Sequence, residues 1–165
     1  MAQIKLVRID FRLIHGQVIT KWFGSTMSNE IVIIDDLLSK DAFMAGVYEM
    51  SAPPGAKVTV CSVDEAVERW KKDEMGSGKL LVLFKNVNQT YQAWKKGFPL
   101  TEVQIGGLGS APGRKVVFGP ITLDDADAGQ LKEMSDAGIY VYLHQVPEEG
   151  KMDFSKVLEK NLFNV

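Results

Sequence analysis

The sequence predicts one α/β domain spanning residues 1–165, an open, mostly parallel twisted sheet with helices on both faces. Three observations carry that prediction. Apolar runs of strand length alternate with longer amphipathic segments along the whole chain. Two of the runs, Ile31–Ile34 and Leu80–Phe84, are continuously apolar, as in strands covered on both faces. The connections are mostly short, and no repeat, low-complexity tract or long linker divides the chain.

Taken in order, Ile4, Leu6, Val7 and Ile9 mark a first strand, and Gln17 to Met27 is a helix-length segment without proline. Ile31–Ile34 is the second strand and ends at Asp35-Asp36. Ser39 or Asp41 caps a helix reaching about Ser51, which Pro53-Pro54-Gly55 stops. Val58–Cys61 is a third strand. Ser62-Val63-Asp64-Glu65 then has the form of a capping box, followed by an apolar stripe of Ala66, Val67 and Trp70. Gly76-Ser77-Gly78 turns the chain into the fourth strand, Leu80–Phe84. Asn88 is the expected cap of a short helix through Trp94, with Gly97 beyond its end. Val103 and Ile105 form a short strand before the glycine-dense stretch Gly106–Gly113, and Val116–Phe118 another. Thr122 with Asp125 is the expected cap of a helix through Ala137, closed by Gly138. Ile139–Leu143 is the last strand and Asp153–Leu162 a terminal helix. Trp22, Trp70 and Trp94 fall on helices as core anchors or an interface stripe.

Composition narrows the function. The chain is 45% hydrophobic and 24% charged, ordinary for a globular protein. Its 19 basic and 21 acidic side chains give a net charge of −2, without the basic face that nucleic acid or an anionic membrane surface requires. Met1–Val7 lacks the apolar core of a signal peptide, and no apolar run approaches the ~18 residues of a spanning helix. The single cysteine, Cys61, has no internal disulfide partner and reads as a small buried hydrophobe, which suits a cytoplasmic location. Two histidines and one cysteine are too few for a Cys/His metal centre. Neither a metal nor an organic cofactor is expected.

The chemistry-bearing stretch is Arg8-Ile9-Asp10-Phe11-Arg12-Leu13-Ile14-His15-Gly16-Gln17-Val18. It joins the first strand to the first helix, and ligands of open α/β sheets gather where the chain leaves the carboxyl ends of strands. An imidazole nitrogen can attack a phosphoryl group. The transferred group spreads negative charge over its oxygens, and Arg12 and Arg8 could meet that charge with bidentate geometry. Asp10 could orient Arg12 or the His15 ring. If a helix starts near Gly16 or Gln17, its free N–H groups face the same point, and Gly16 lets the backbone approach closely. The competing reading is a surface histidine at a helix start beside an ordinary ion pair.

The remaining candidates are weaker. Gly106–Gly113 has the spacing of neither a Walker loop nor a dinucleotide fingerprint, so it is a flexible turn or a lining of the same site. Asp35-Asp36 could bind Mg²⁺ but more simply caps the following helix. Lys85-Asn86 could add charge at the same sheet edge, and His144 is read as structural.

The Arg8–Val18 stretch, followed by Trp22, resembles the signature of the IIB components of the mannose/fructose/sorbose class of bacterial sugar phosphotransferase systems. Val32–Asp36, Ala52–Gly55 and Ile105-Gly106-Gly107 match further landmarks in the same order. The resemblance implies a phosphotransferase in which His15 receives a phosphoryl group, through Nδ1, from a phosphohistidine on a IIA partner. His15 then passes it to a sugar held by membrane IIC/IID components. By the same match Arg12 lies beside the phosphate and Asp10 belongs to the active loop, and members are often dimers, so a homodimer is expected. Gly16 and Gln17 are expected to supply backbone donors at the helix start. An exposed histidine is expected, because two partners must reach it. Two positions depart from the family pattern. Phe11 stands where an aspartate or small polar residue is usual, and Leu108 follows the paired glycines where many relatives have histidine. The alternative is a non-catalytic regulator of the same fold that binds phosphotransferase partners. A nucleotide-binding domain with an incidental histidine is a third reading, opposed by the missing glycine fingerprint.

Overall fold

The structure, a computed structural model, describes residues 1–165. Seven strands form one sheet in the order β3-β2-β4-β1-β5-β8-β9. These are β1 (Gln3–Asp10), β2 (Glu30–Ile34), β3 (Lys57–Cys61), β4 (Lys79–Phe84), β5 (Glu102–Gly107), β8 (Tyr140–Leu143) and β9 (Met152–Asp153). Neighbours pair in parallel throughout, except that β9 runs antiparallel to β8. The two strands between β5 and β8 in the chain, β6 (Lys115–Phe118) and β7 (Ile121–Leu123), form a separate antiparallel hairpin.

Helices cover both faces, as expected. Alternation along β1 sends Leu6 to one face and Val7 and Ile9 to the other. The face of Leu6 is covered by α1 (Gly16–Ser25), α2 (Asp36–Ser39) and α3 (Ala42–Met50), through Ile19, Trp22, Leu38 and Tyr48. The opposite face holds the larger core under α4 (Val63–Asp73), α5 (Val87–Lys95), α6 (Asp125–Asp136) and α7 (Phe154–Glu159). The continuously apolar β2 and β4 lie inside the sheet and feed both cores, which is why they do not alternate.

Local capping explains most boundaries. Ser62 and Glu65 close the expected capping box, with Ser62 Oγ accepting from Glu65 N at 3.0 Å and Glu65 Oε1 accepting from Ser62 N at 3.1 Å. Asp35 caps the short α2, which the sequence reading did not separate, and Asp41 caps α3. Asp36 Oδ1 accepts from Val63 N and Oδ2 from Gln89 Nε2, so both carboxylates of the pair serve helix ends, the capping reading rather than the Mg²⁺ one.

Two caps differ from expectation. Asn86, not Asn88, caps α5 by accepting from Gln89 N. Asp124, not Thr122, caps α6, because Thr122 lies within β7 and spends its hydroxyl on the Gly109 carbonyl at 2.7 Å. Gly106 and Gly107 belong to β5 rather than to a loop, and the terminal helix stops at Glu159. The strand of two residues, β9, carries no sequence signal of its own.

Candidate functional site

At the carboxyl edge of the sheet the chain leaves β1 toward α1 on one face. From the neighbouring β5 it leaves toward the hairpin and α6, which packs on the other. Such a divergence opens a crevice between adjacent strands, and the His15 loop lies at its rim. Asp10, the last residue of β1, sits at the centre of the loop and is fully buried. Its Oδ1 accepts from the backbone N of Arg12 at 3.0 Å and from Arg12 Nε at 3.3 Å. Its Oδ2 accepts from Arg8 Nη2 at 3.3 Å and faces His15 Nε2 at 3.9 Å. Arg8, Arg12 and His15 therefore converge on one carboxylate, with Arg12 hydrogen-bonded to it and the His15 ring beyond hydrogen-bond distance.

Leu13 makes the turn that brings them together. Its φ of 56° is costly for a residue with a Cβ, and its fully buried side chain, packed with Ile19 and Trp22, holds it there. Its carbonyl lies 3.2 Å from His15 Nδ1. His15 is the residue immediately before α1, in extended conformation, and makes no side-chain cap bond. The first N–H groups of a ten-residue helix thus open at the imidazole without a side-chain acceptor, a setting that favours an anion. Gly16 has φ of +48° and open space where a Cβ would stand, so glycine serves the backbone turn here and not a close approach. The exposed Gln17 follows it.

Arg12 and Arg8 play different parts. The Arg12 side chain is 47% exposed, and both its terminal amino groups are without a protein partner. The Phe11 ring lies 5.4 Å from its guanidinium carbon, so the unusual residue at position 11 stacks on Arg12 instead of pairing with it. Arg8, expected to contact phosphate, is instead fully buried, a correction to the sequence reading. Its amino groups donate to Asp10, to Gln104 Oε1 at 2.6 Å, and to the His144 and Gln145 carbonyls, each at 2.9 Å. Burial draws the guanidinium down to about 10, with Asp10 pulling it back up, so it stays charged at neutral pH. It braces Asp10 from below and does not reach the surface.

The glycines of β5 make room for this stack. A Cβ on Gly106 would fall 2.0 Å from the Arg8 guanidinium carbon, and one on Gly107 would crowd both Arg12 and Asp10 at 3.1 Å. The lining of the site from the neighbouring strand is thus real, but it comes from the strand end. Lys85 is exposed at the end of β4 and borders a small cavity with Leu13, so its charge reaches the same edge. His144 is structural, as expected. Its Nε2 lies 2.7 Å from the Glu149 carbonyl, and its ring packs edge-on against Trp22 at 4.9 Å.

Sequence reasoning missed Gln104 and the Gln145 carbonyl, which also accepts from Trp22 Nε1 at 2.9 Å. Gln104 did leave a signal: it is a lone amide between Val103 and Ile105 in a strand that is otherwise apolar there. His15 is less open than expected. Its side chain is 19% exposed, and Nε2 is buried without a hydrogen-bond partner.

Comparison with known proteins gives this arrangement a lineage. The family described as the PTS system sorbose subfamily IIB component matches residues 4–165. The chain belongs to that family. IIB components take phosphate from a IIA partner and pass it to the sugar, working with membrane IIC/IID partners. The IIB chain is 30% identical over 150 residues to the sorbose-specific EIIB component of Lacticaseibacillus casei, covering 91% of this chain and 92% of the relative. It superposes with a TM-score of 0.91 on manxB from Thermoanaerobacter tengcongensis, at 38% identity over 98% of each chain. The IIBSor domain of the Klebsiella pneumoniae sorbose permease gives the same score at 29% identity, covering 98% of this chain and 99% of that one. No helix is long and apolar enough to cross a membrane.

Proposed function

We propose that this IIB chain carries the phosphoryl group on His15 and that residues 1–165 act as one domain for that purpose. The carrying observation is the convergence of His15, Arg12 and Asp10 at the uncapped start of α1. In the first step the Nδ1 lone pair attacks phosphorus on the IIA phosphohistidine. The donor N–P bond breaks, and its electron pair returns to the donor imidazole. In the second step a sugar hydroxyl oxygen attacks phosphorus. The His15 N–P bond breaks, and the hydroxyl proton leaves to a base on the acceptor's side.

Each residue has a part in this exchange. Arg12 meets the equatorial phosphoryl oxygens with its two unpaired amino groups. Gly16 and Gln17 offer backbone donors. Asp10 holds the proton on Nε2, which leaves the lone pair on Nδ1, as in other carboxylate–imidazole pairs. For this the 3.9 Å gap between Nε2 and Oδ2 closes, and Nδ1 parts from the Leu13 carbonyl, because two lone pairs repel. Two features support delivery by protein partners on the cytoplasmic side. The histidine is partly exposed on the loop before α1, and Leu37, Phe43 and Met50 of α2 and α3, which cover the same face of the sheet as α1, are exposed apolar side chains. A homodimer formed through these side chains is read by light scattering, where a monomeric mass removes it.

The deciding experiment is intact mass after incubation with phosphoenolpyruvate, the general phosphotransferase proteins and a matching IIA. One acid-labile phosphate on the wild type and none on His15→Ala is the expected result. An uncharged wild type beside a demonstrably charged IIA removes the carrier reading.

A further inference from the structure

The carboxylate that faces His15 is placed by Arg8, and Arg8 is placed by groups far from the loop. Register puts Gln104 of β5 opposite Arg8 of β1, and Tyr142 of β8 opposite Gln104, so the three form one row across the sheet. Gln104 is fully buried. Its amide can sit only one way round. A guanidinium donates and never accepts, so Oε1 must face Arg8, which turns Nε2 toward the Tyr142 hydroxyl at 3.4 Å. Burial holds that hydroxyl in its neutral form.

Arg8 has no slack. Nη1 donates to Gln104 and His144, Nη2 to Asp10 and Gln145, and Nε is already buried without a partner. The two terminal nitrogens therefore set the plane of the guanidinium, and that plane fixes the Oδ2 side of Asp10, as Arg12 fixes its Oδ1 side. A residue needed only to hold β5 against β1 would be apolar here, as Leu83 is on the other side of Arg8. Burying an amide beside a charge is the more expensive choice and buys orientation rather than cohesion.

We propose that Gln104 is a positioning residue for phosphoryl transfer, fixing Arg8 so that Asp10 stands ready to take the His15 Nε2 proton in a hydrogen bond as the 3.9 Å gap closes, which turns the Nδ1 lone pair to phosphorus. The proposal rests on His15 being the acceptor. It predicts that losing the Gln104 oxygen changes the imidazole before any phosphate is present. The test compares wild type, Gln104→Leu and Gln104→Glu in the full chain. Their folding is checked by thermal melting, the His15 ring nitrogens by ¹⁵N NMR, and transfer from charged IIA by single-turnover kinetics.

In Gln104→Leu the His15 signals should move toward the Nδ1–H tautomer. The saturating transfer rate should fall by about ten- to a hundredfold, and half-saturation by IIA should stay within about twofold. Gln104→Glu retains an acceptor oxygen for Arg8 and should recover most of the rate. Wild-type ring signals in a folded Gln104→Leu, or a loss confined to half-saturation, would overturn the proposal. Should the leucine variant fail to fold, Gln104→Met has similar length and no carbonyl, and the same outcomes apply to it. Phosphate on His15→Ala would instead remove the acceptor reading, which the ring signals of the unphosphorylated protein do not depend on.

Discussion

At the scale of single residues, the site shows how one carboxylate divides the work of two arginines. Asp10 takes Arg8 on the oxygen that faces His15 and Arg12 on the other, so the buried cation braces the carboxylate and the exposed one keeps its two terminal amino groups free, as the proposed phosphate contact needs. Arg12→Lys tests that division. Lysine keeps the charge but loses the fork, the stacking on Phe11 and the Nε–H bond to Asp10. The expected outcome is a fall of about tenfold or more in the rate of phosphate capture, corresponding to ~1.4 kcal/mol or more, with little change in melting temperature. Stopped-flow transfer from IIA measures it, and an unchanged rate would return Arg12 to a surface role. The sequence placed Arg12 beside His15 because that neighbourhood depends on local spacing in the loop. It misplaced Arg8 because Arg8 is defined by partners 96, 136 and 137 residues away, which spacing along the loop cannot show.

At the scale of elements, strands were legible where composition alone decides them, and their partners were not. Val116–Phe118 has the β-branched character of a strand, but nothing in that run says whether it joins the main sheet or folds back on Ile121–Leu123. The deciding residue is Arg114. Its guanidinium donates to the Thr122 hydroxyl and carbonyl, at 3.0 Å each, and to the Asp124 and Asp127 carboxylates at 3.2 and 2.7 Å. These bonds clamp the hairpin to the start of α6, just where the cap was misassigned to Thr122. Arg114→Met keeps part of the aliphatic stem and removes the donors. It should cost about 2 kcal/mol, in the range for hydrogen bonds to charged groups on a mostly buried side chain. Amide exchange should accelerate selectively in Lys115–Leu123, while β1 and β4 change only with global stability. Uniform acceleration across the sheet would show that the hairpin is not an independent unit.

At the scale of the molecule, the fold class was legible because alternation, continuous central strands and short connections all pointed to one architecture. Strand order was not, since it is set by which helix covers which face. One whole-molecule consequence comes from Cys61 at the end of β3, which the sequence read as a buried hydrophobe and the structure leaves free and 2% exposed. Burial holds its thiol at about 11, against 9.0 for an accessible one. Between those values the unfolded chain has released a proton that the folded chain still holds, so stability falls as pH rises from 9 toward 11. Arg8 works in the opposite sense. Its depressed value means that the folded state sheds the guanidinium proton first, so stability is regained only from about 10 upward. Urea unfolding of wild type and Cys61→Ala at pH 8 and pH 10 separates the thiol from every other group. The wild type should lose about 1 kcal/mol more than the variant over that interval. Equal losses would mean that the thiolate finds water without unfolding, and β3 would then be an edge that opens.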